Sequence, residues 1–177
     1  MVKFLKYHLK SIILWTLLIA AIGGGYGYWH YTHTPKYLLR KNIFSLAETV
    51  SKASDESAAS TAFKTLVFSE LLAPEIKLDV EGIPYFNTVI DRDELKGLFA
   101  QSRAYIDTLS ITIESIDILY SKEKPDKATL EGAFKVTGKG KTFNDKWQDT
   151  FLVSVKAVLQ DGKWRFSSFE TMKPFRQ

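Results

Sequence analysis

Chemistry in this chain has few residue types to draw on. Cysteine is absent, which excludes thiolate catalysis, disulfides and Cys-ligated zinc. The only histidines are His8, His30 and His33, so from Thr34 onward the chain holds neither Cys nor His. Ser-His-Asp triads, His-ligated metals and imidazole bases are therefore excluded from that part. Carboxylates, Tyr, Lys, Arg and Ser remain. Asp149 stands out among them, because it shares strand parity with Trp147, Phe151 and Val153 and is predicted to face their apolar side. A carboxylate held there could act as a general base, although a solvated or ion-paired position explains it as simply. Gly138-Lys-Gly-Lys141 lacks the spacing of a phosphate-binding loop and reads as a turn. The charged run Lys122–Lys127 reads as a solvated loop. No metal and no cofactor is expected.

The elements that must position these residues follow from periodicity. Ser11–Tyr31 carries no formal charge over 21 residues, about 31 Å as a helix, enough to cross a bilayer core. Tyr26, Tyr28, Trp29 and Tyr31 gather at its far end, as amphipathic rings do where lipid meets water. We read residues 1–10 as a short basic tail and 11–31 as a transmembrane helix, with a cleaved signal peptide as the rival. The lysines at 3, 6 and 10 favour an N-terminus on the cytoplasmic side of an inner membrane and a periplasmic domain. Gly23 and Gly27, and Thr16, Ala20 and Gly24, form rows of small residues that can pair membrane helices into a homo-oligomer. Without the three tail lysines, 21 basic residues face 20 acidic ones. The positive charge thus belongs to the tail, and no nucleic-acid partner is expected.

From Lys36 onward the pattern predicts a helix to Lys52, a polar break with Ser54 or Asp55 as the next N-cap, and a second helix ending near Leu72 before Pro74. Ile76, Leu78 and Val80 alternate as a strand, with a return over Tyr85–Ile90. Asp91-Arg-Asp-Glu94 is a capping-box pattern opening a third helix whose expected buried face is Leu95, Leu98, Phe99 and Ile106. Four antiparallel strands follow. In the first, the apolar phase shifts from Leu109, Ile111 and Ile113 to Ile116, Ile118 and Tyr120, which predicts a β-bulge near Glu114–Ser115. Asp161-Gly162 predicts a two-residue hairpin into Trp164, Phe166 and Ser168. The fold class is α+β: a curved antiparallel sheet packed on three helices.

That order, with LLAPEIKLDVEG leading into TVIDRDELKGLF and closing on LQDGKWRFSSFE, resembles the nuclear transport factor 2-like superfamily over residues 36–175. The resemblance implies a cystatin-like cone with a pocket between sheet and helices. It also implies a candidate ligand-binding set of Tyr85, Tyr105, Trp147, Asp149 and Phe151. Were the domain an isomerase or cyclase, Asp149 would be the base and Tyr85 or Tyr105 the phenolic donor, with Tyr120 a further candidate. Dehydratase-type members use an Asp–His pair, which this chain lacks. A type IV secretion inner-membrane component shares the plan of short tail, single span and domain of this superfamily. The main expectation is therefore a membrane-anchored, non-catalytic binding or scaffold module engaging a protein partner or a small apolar ligand. The alternatives are the carboxylate-based enzyme and a pocket-based ligand carrier or sensor.

Overall fold

The computed structural model describes residues 32–80, 87–120, 123–141 and 146–172. The tail and transmembrane segment expected at 1–31 lie outside them. Among the described residues no helix is long and apolar enough to cross a membrane. The chain divides into two compact units, Met1–Leu38 and Leu39–Gln177. In the first, the Leu38 N–H donates to the Thr34 carbonyl (3.1 Å), closing the opening turn of a helix. All that follows concerns the second.

Three helices and six strands alternate in the order α1 (Pro35–Val50), α2 (Ala58–Glu70), β1 (Leu72–Asp79), β2 (Asn87–Asp91), α3 (Arg92–Tyr105), β3 (Ile106–Tyr120), β4 (Lys127–Gly140), β5 (Lys146–Gln160) and β6 (Lys163–Met172). They build one curved, six-stranded sheet in the order β2-β1-β6-β5-β4-β3. The sheet is mixed and not purely antiparallel, because β1 runs parallel to β6 while every other pair is antiparallel. Strand periodicity locates a strand but not its neighbour, and α3 separates β1 from the strands that follow. Strand β1 also begins earlier than expected, at Leu72, with Pro74 inside it. Proline removes a ladder donor, and the β1–β6 register shifts between Leu72 and Lys77.

Local signals set several of the element ends. Ser57, and neither Ser54 nor Asp55, caps α2, its hydroxyl accepting from the Ser60 N–H (3.2 Å). Asp91 caps α3 but accepts from Asp93, two residues on (2.7 Å), and not from Glu94. Asp161 and Gly162 both take positive φ, 51° and 73°, as a twist-matched two-residue hairpin requires. The bulge in β3 falls between Ile113 and Ser115. A second one lies in β6, where the β5 register shifts between Lys156 and Ala157 and Ser167 is the extra residue. It moves the inward phase from Trp164 and Phe166 to Phe169 and Thr171.

Gly132 stands opposite the β3 bulge, paired with Ile116. A Cβ on it would meet the Ser115 carbonyl oxygen, a backbone atom that cannot swing away. Gly132→Ala is therefore expected to lose about 1–3 kcal/mol, read as a lower denaturation midpoint at unchanged slope.

The core is uneven along the strands. At one end Leu39 and Ile43 of α1 pack with Leu72, Ile76, Leu130, Val155 and Phe166, all nearly inaccessible to solvent. The Asn42 side chain fixes α1 there by donating to the Trp164 carbonyl (3.0 Å). Toward the other end the inward side chains Leu78, Ile111, Phe134, Val136, Phe151 and Val153 are only half-buried. Close packing thus gives way to a cavity.

Candidate functional site

The inner face at that end comes from four antiparallel pairings. Ile111 lies across from Val136, Phe134 from Phe151, and Val153 from Thr171, so these side chains share one surface. Helix α1 covers it with Ile43, Leu46, Ala47 and Val50, α2 adds Phe68, and α3 adds Leu95. Between them is a cavity of about 430 Å³, within the range of pockets that take small molecules. Its sixteen lining residues include no ionisable side chain, and Thr171 is the only polar one. Such a surface solvates water poorly and favours an apolar occupant.

The sequence-derived site residues fall in different places. Phe151 lines the cavity. Asp149 lies two residues nearer the strand start, across from Val136, but is exposed, and its carboxylate accepts from the Thr150 N–H (2.8 Å). Trp147 is 46% exposed, its indole lying over Gly138 so closely that a Cβ there would collide with the ring. Tyr105 ends α3 at 72% exposure, and its carbonyl accepts from the Lys141 N–H (2.9 Å). Tyr120 sits toward the packed end, edge-on to Trp164 with ring centroids 6.2 Å apart. Tyr85 lies outside the described residues. With Asp149 exposed and engaged by its own neighbour, Asp149→Asn is expected to leave stability within about 0.5 kcal/mol, measured by denaturant titration.

Sequence reasoning missed the domain's main charged cluster. Arg103 of α3 forms a two-pronged ion pair with Glu56, Nε to Oε1 at 2.8 Å and Nη2 to Oε2 at 2.6 Å, and both side chains are almost fully buried (4% and 3% exposed). The same guanidinium donates to the carbonyls of Thr49, Val50 and Ser51 at 3.4, 3.2 and 3.0 Å. These are acceptors at the end of α1 that the helix itself leaves open. Lys64 donates to Glu56 (2.8 Å) and to the Ser51 carbonyl (2.7 Å), and the Thr61 hydroxyl donates to Glu56 (2.9 Å). Phe99 stacks on Phe68 at 4.3 Å and carries the Arg103 guanidinium over its face at 4.9 Å.

Burial alone would raise the Glu56 carboxyl. Hydrogen bonds from Arg103, then Lys64 and Thr61, outweigh it and hold the group at about 2. Lys52 donates to the carbonyls of Arg103 (2.6 Å) and Ile106. Its ammonium is pushed below its ordinary range by burial first, then by nearby Lys141 and Arg103. Every strong donor and acceptor in the cluster is satisfied by protein, which makes it a clasp joining the three helices. Among the described residues no group of His, Cys, Asp or Glu could hold a metal ion.

No family model matches the sequence, and no curated protein matches it. Solved structures do. The protein Kfla4162 from Kribbella flavida is similar at a TM-score of 0.62 and 11% identity, covering 77% of this chain and 88% of that one. The hexachlorocyclohexane dehydrochlorinase LinA-type3 from Novosphingobium barchaimii matches at 0.59 and 12% identity, covering 77% and 84%. A candidate scytalone dehydratase from Novosphingobium aromaticivorans matches at 0.59 and 14% identity, covering 77% and 83%. At these identities the likeness establishes the fold alone, and that fold is nuclear transport factor 2-like.

Proposed function

We propose that this chain is a membrane-anchored module that binds a small apolar ligand in the cavity between the curved sheet and its helices, without chemistry upon it. The observation that supports this reading is the lining: sixteen residues, none ionisable. Transfer of apolar ligand surface into such a site is favoured by roughly 25 cal/mol per Å², while acid–base catalysis needs a titratable group within reach of the reacting atom. In this reading residues 11–31 hold the domain at the outer face of the inner membrane, where an apolar ligand is concentrated. Full-length protein purified in mild detergent is expected to carry a hydrophobic small molecule, released by organic extraction and identified by mass spectrometry. Repeated extraction that yields only the detergent would sink the proposal.

A second reading, an enzyme working in the same cavity, draws support from neighbours whose names include a dehydrochlorinase and a dehydratase. Asp149 is the carboxylate it would use. Asp149→Asn separates the two: ligand carriage retained favours binding, whereas loss of a measurable turnover with folding intact favours the enzyme. A role as a pure assembly scaffold would appear as a protein partner that survives extraction, with Val153→Trp, which fills the cavity, leaving that complex intact.

A further inference from the structure

The cavity is not the only apolar space around α3. A second one, of about 470 Å³, lies on the side of β2 and α3 and is lined by Ile90, Leu98 and Phe99, with the hydroxyls of Thr88 and Ser102. The two cavities share four lining residues, Val50, Phe68, Leu78 and Leu95. Those side chains are the wall between them. Phe68 is held by its stack on Phe99. Leu78 and Leu95 are half-buried aliphatic side chains, and a change of rotamer moves either between staggered wells.

Resting on the binding function proposed above, we infer that the ligand is a single unbranched hydrocarbon chain, of the fatty-acyl or alkyl class, that threads from one cavity into the other across this wall. A fused ring system is wider than the gap two leucines can open and would fill only the first cavity. A chain is thin enough to pass, and each further methylene it buries is worth about fourfold in affinity. The arrangement thus selects by shape: two apolar lobes in sequence, joined where flexible aliphatic side chains meet, suit length and not breadth.

Photolabelling of the full-length protein tests this. Two fatty acids are used, one with a diazirine at mid-chain and one with it at the chain terminus, together with a photoreactive sterol. The expected result is that the two chain probes label different lobes, one around Phe134 and Phe151 and the other around Leu98 and Phe99, while the sterol labels the first lobe only. Leu98→Trp, a change at a 48% exposed position that folding tolerates, is expected to abolish labelling in the second lobe and keep it in the first. Both chain probes confined to the first lobe, with the sterol labelling it equally, overturns the threading while leaving apolar binding intact. Labelling by none of the three probes overturns the binding function itself.

Discussion

Arg103→Met is expected to destabilise the domain by about 3–5 kcal/mol, the usual consequence of removing one partner of a buried ion pair. Three effects coincide at this position. Glu56 keeps its burial but loses its two-pronged partner, retaining only Lys64 and Thr61. The carbonyls of Thr49, Val50 and Ser51 lose their guanidinium donor. Phe99 loses the cation over its ring. Chemical denaturation of wild type and variant measures the change, and for a protein of this size it corresponds to a fall in Tm of roughly 10 °C. A variant within 1 kcal/mol of wild type would show that the clasp adds little.

The same cluster sets an acid limit. Glu56 titrates at about 2 in the folded protein against an ordinary value of 4.5. A depressed carboxylate binds fewer protons folded than unfolded, so its contribution is complete above pH 4.5 and is lost as the pH falls toward 2. Its size is about 3 kcal/mol. Glu56→Gln should remove this component, so that its stability is lower at neutral pH and flatter across the acid range.

Val153→Trp is expected to abolish ligand carriage while leaving the fold in place. Val153 sits on β5 in the middle of the cavity lining, and an indole there projects into open space and not into packed neighbours. Excluding even three methylenes of a ligand costs about 2.4 kcal/mol, about fiftyfold in affinity. Far-UV circular dichroism and the denaturation midpoint should stay at or above wild type, because the added ring fills a void. Loss of folding together with binding would be uninformative from this variant alone; Val136→Phe, across β4 on the same lining, gives the smaller intrusion that separates the two.

Much of the architecture was legible because it is local. The bulge at Glu114–Ser115 was visible as a phase change, and the Asp161-Gly162 hairpin as a turn chemistry that few other residue pairs satisfy. What escaped had no local signature. Pairing of β1 with β6 joins segments about ninety residues apart, and nothing in the alternation of Ile76 and Leu78 names that partner. The bulge at Ser167 was hidden because Ser168 continues the polar–apolar count on paper. Ile106, expected on the buried face of α3, instead opens β3, and Leu98 is largely exposed beside the second cavity. Glu56 sat in a polar break that reads as solvated, because its partner Arg103 lies 47 residues on. The cavity was foreseen through family resemblance, but its apolar lining was not, since parity places Asp149 on the inner side without saying that the strand leaves the cavity before reaching it.

The parallel seam between β1 and β6 has a consequence in time. Strands β3, β4 and β5 are joined by short antiparallel connections and can zip from hairpins, and β1 with β2 can do the same. Neither half meets the other until β6 arrives between them, although β6 is the last strand in sequence. Closing so long a loop must precede most of the gain from burial, which slows folding and keeps the two half-sheets apart with unpaired edges. A nascent chain would therefore present two open edges until the residues through Met172 are free to insert, a window in which chaperone engagement or mispairing is decided.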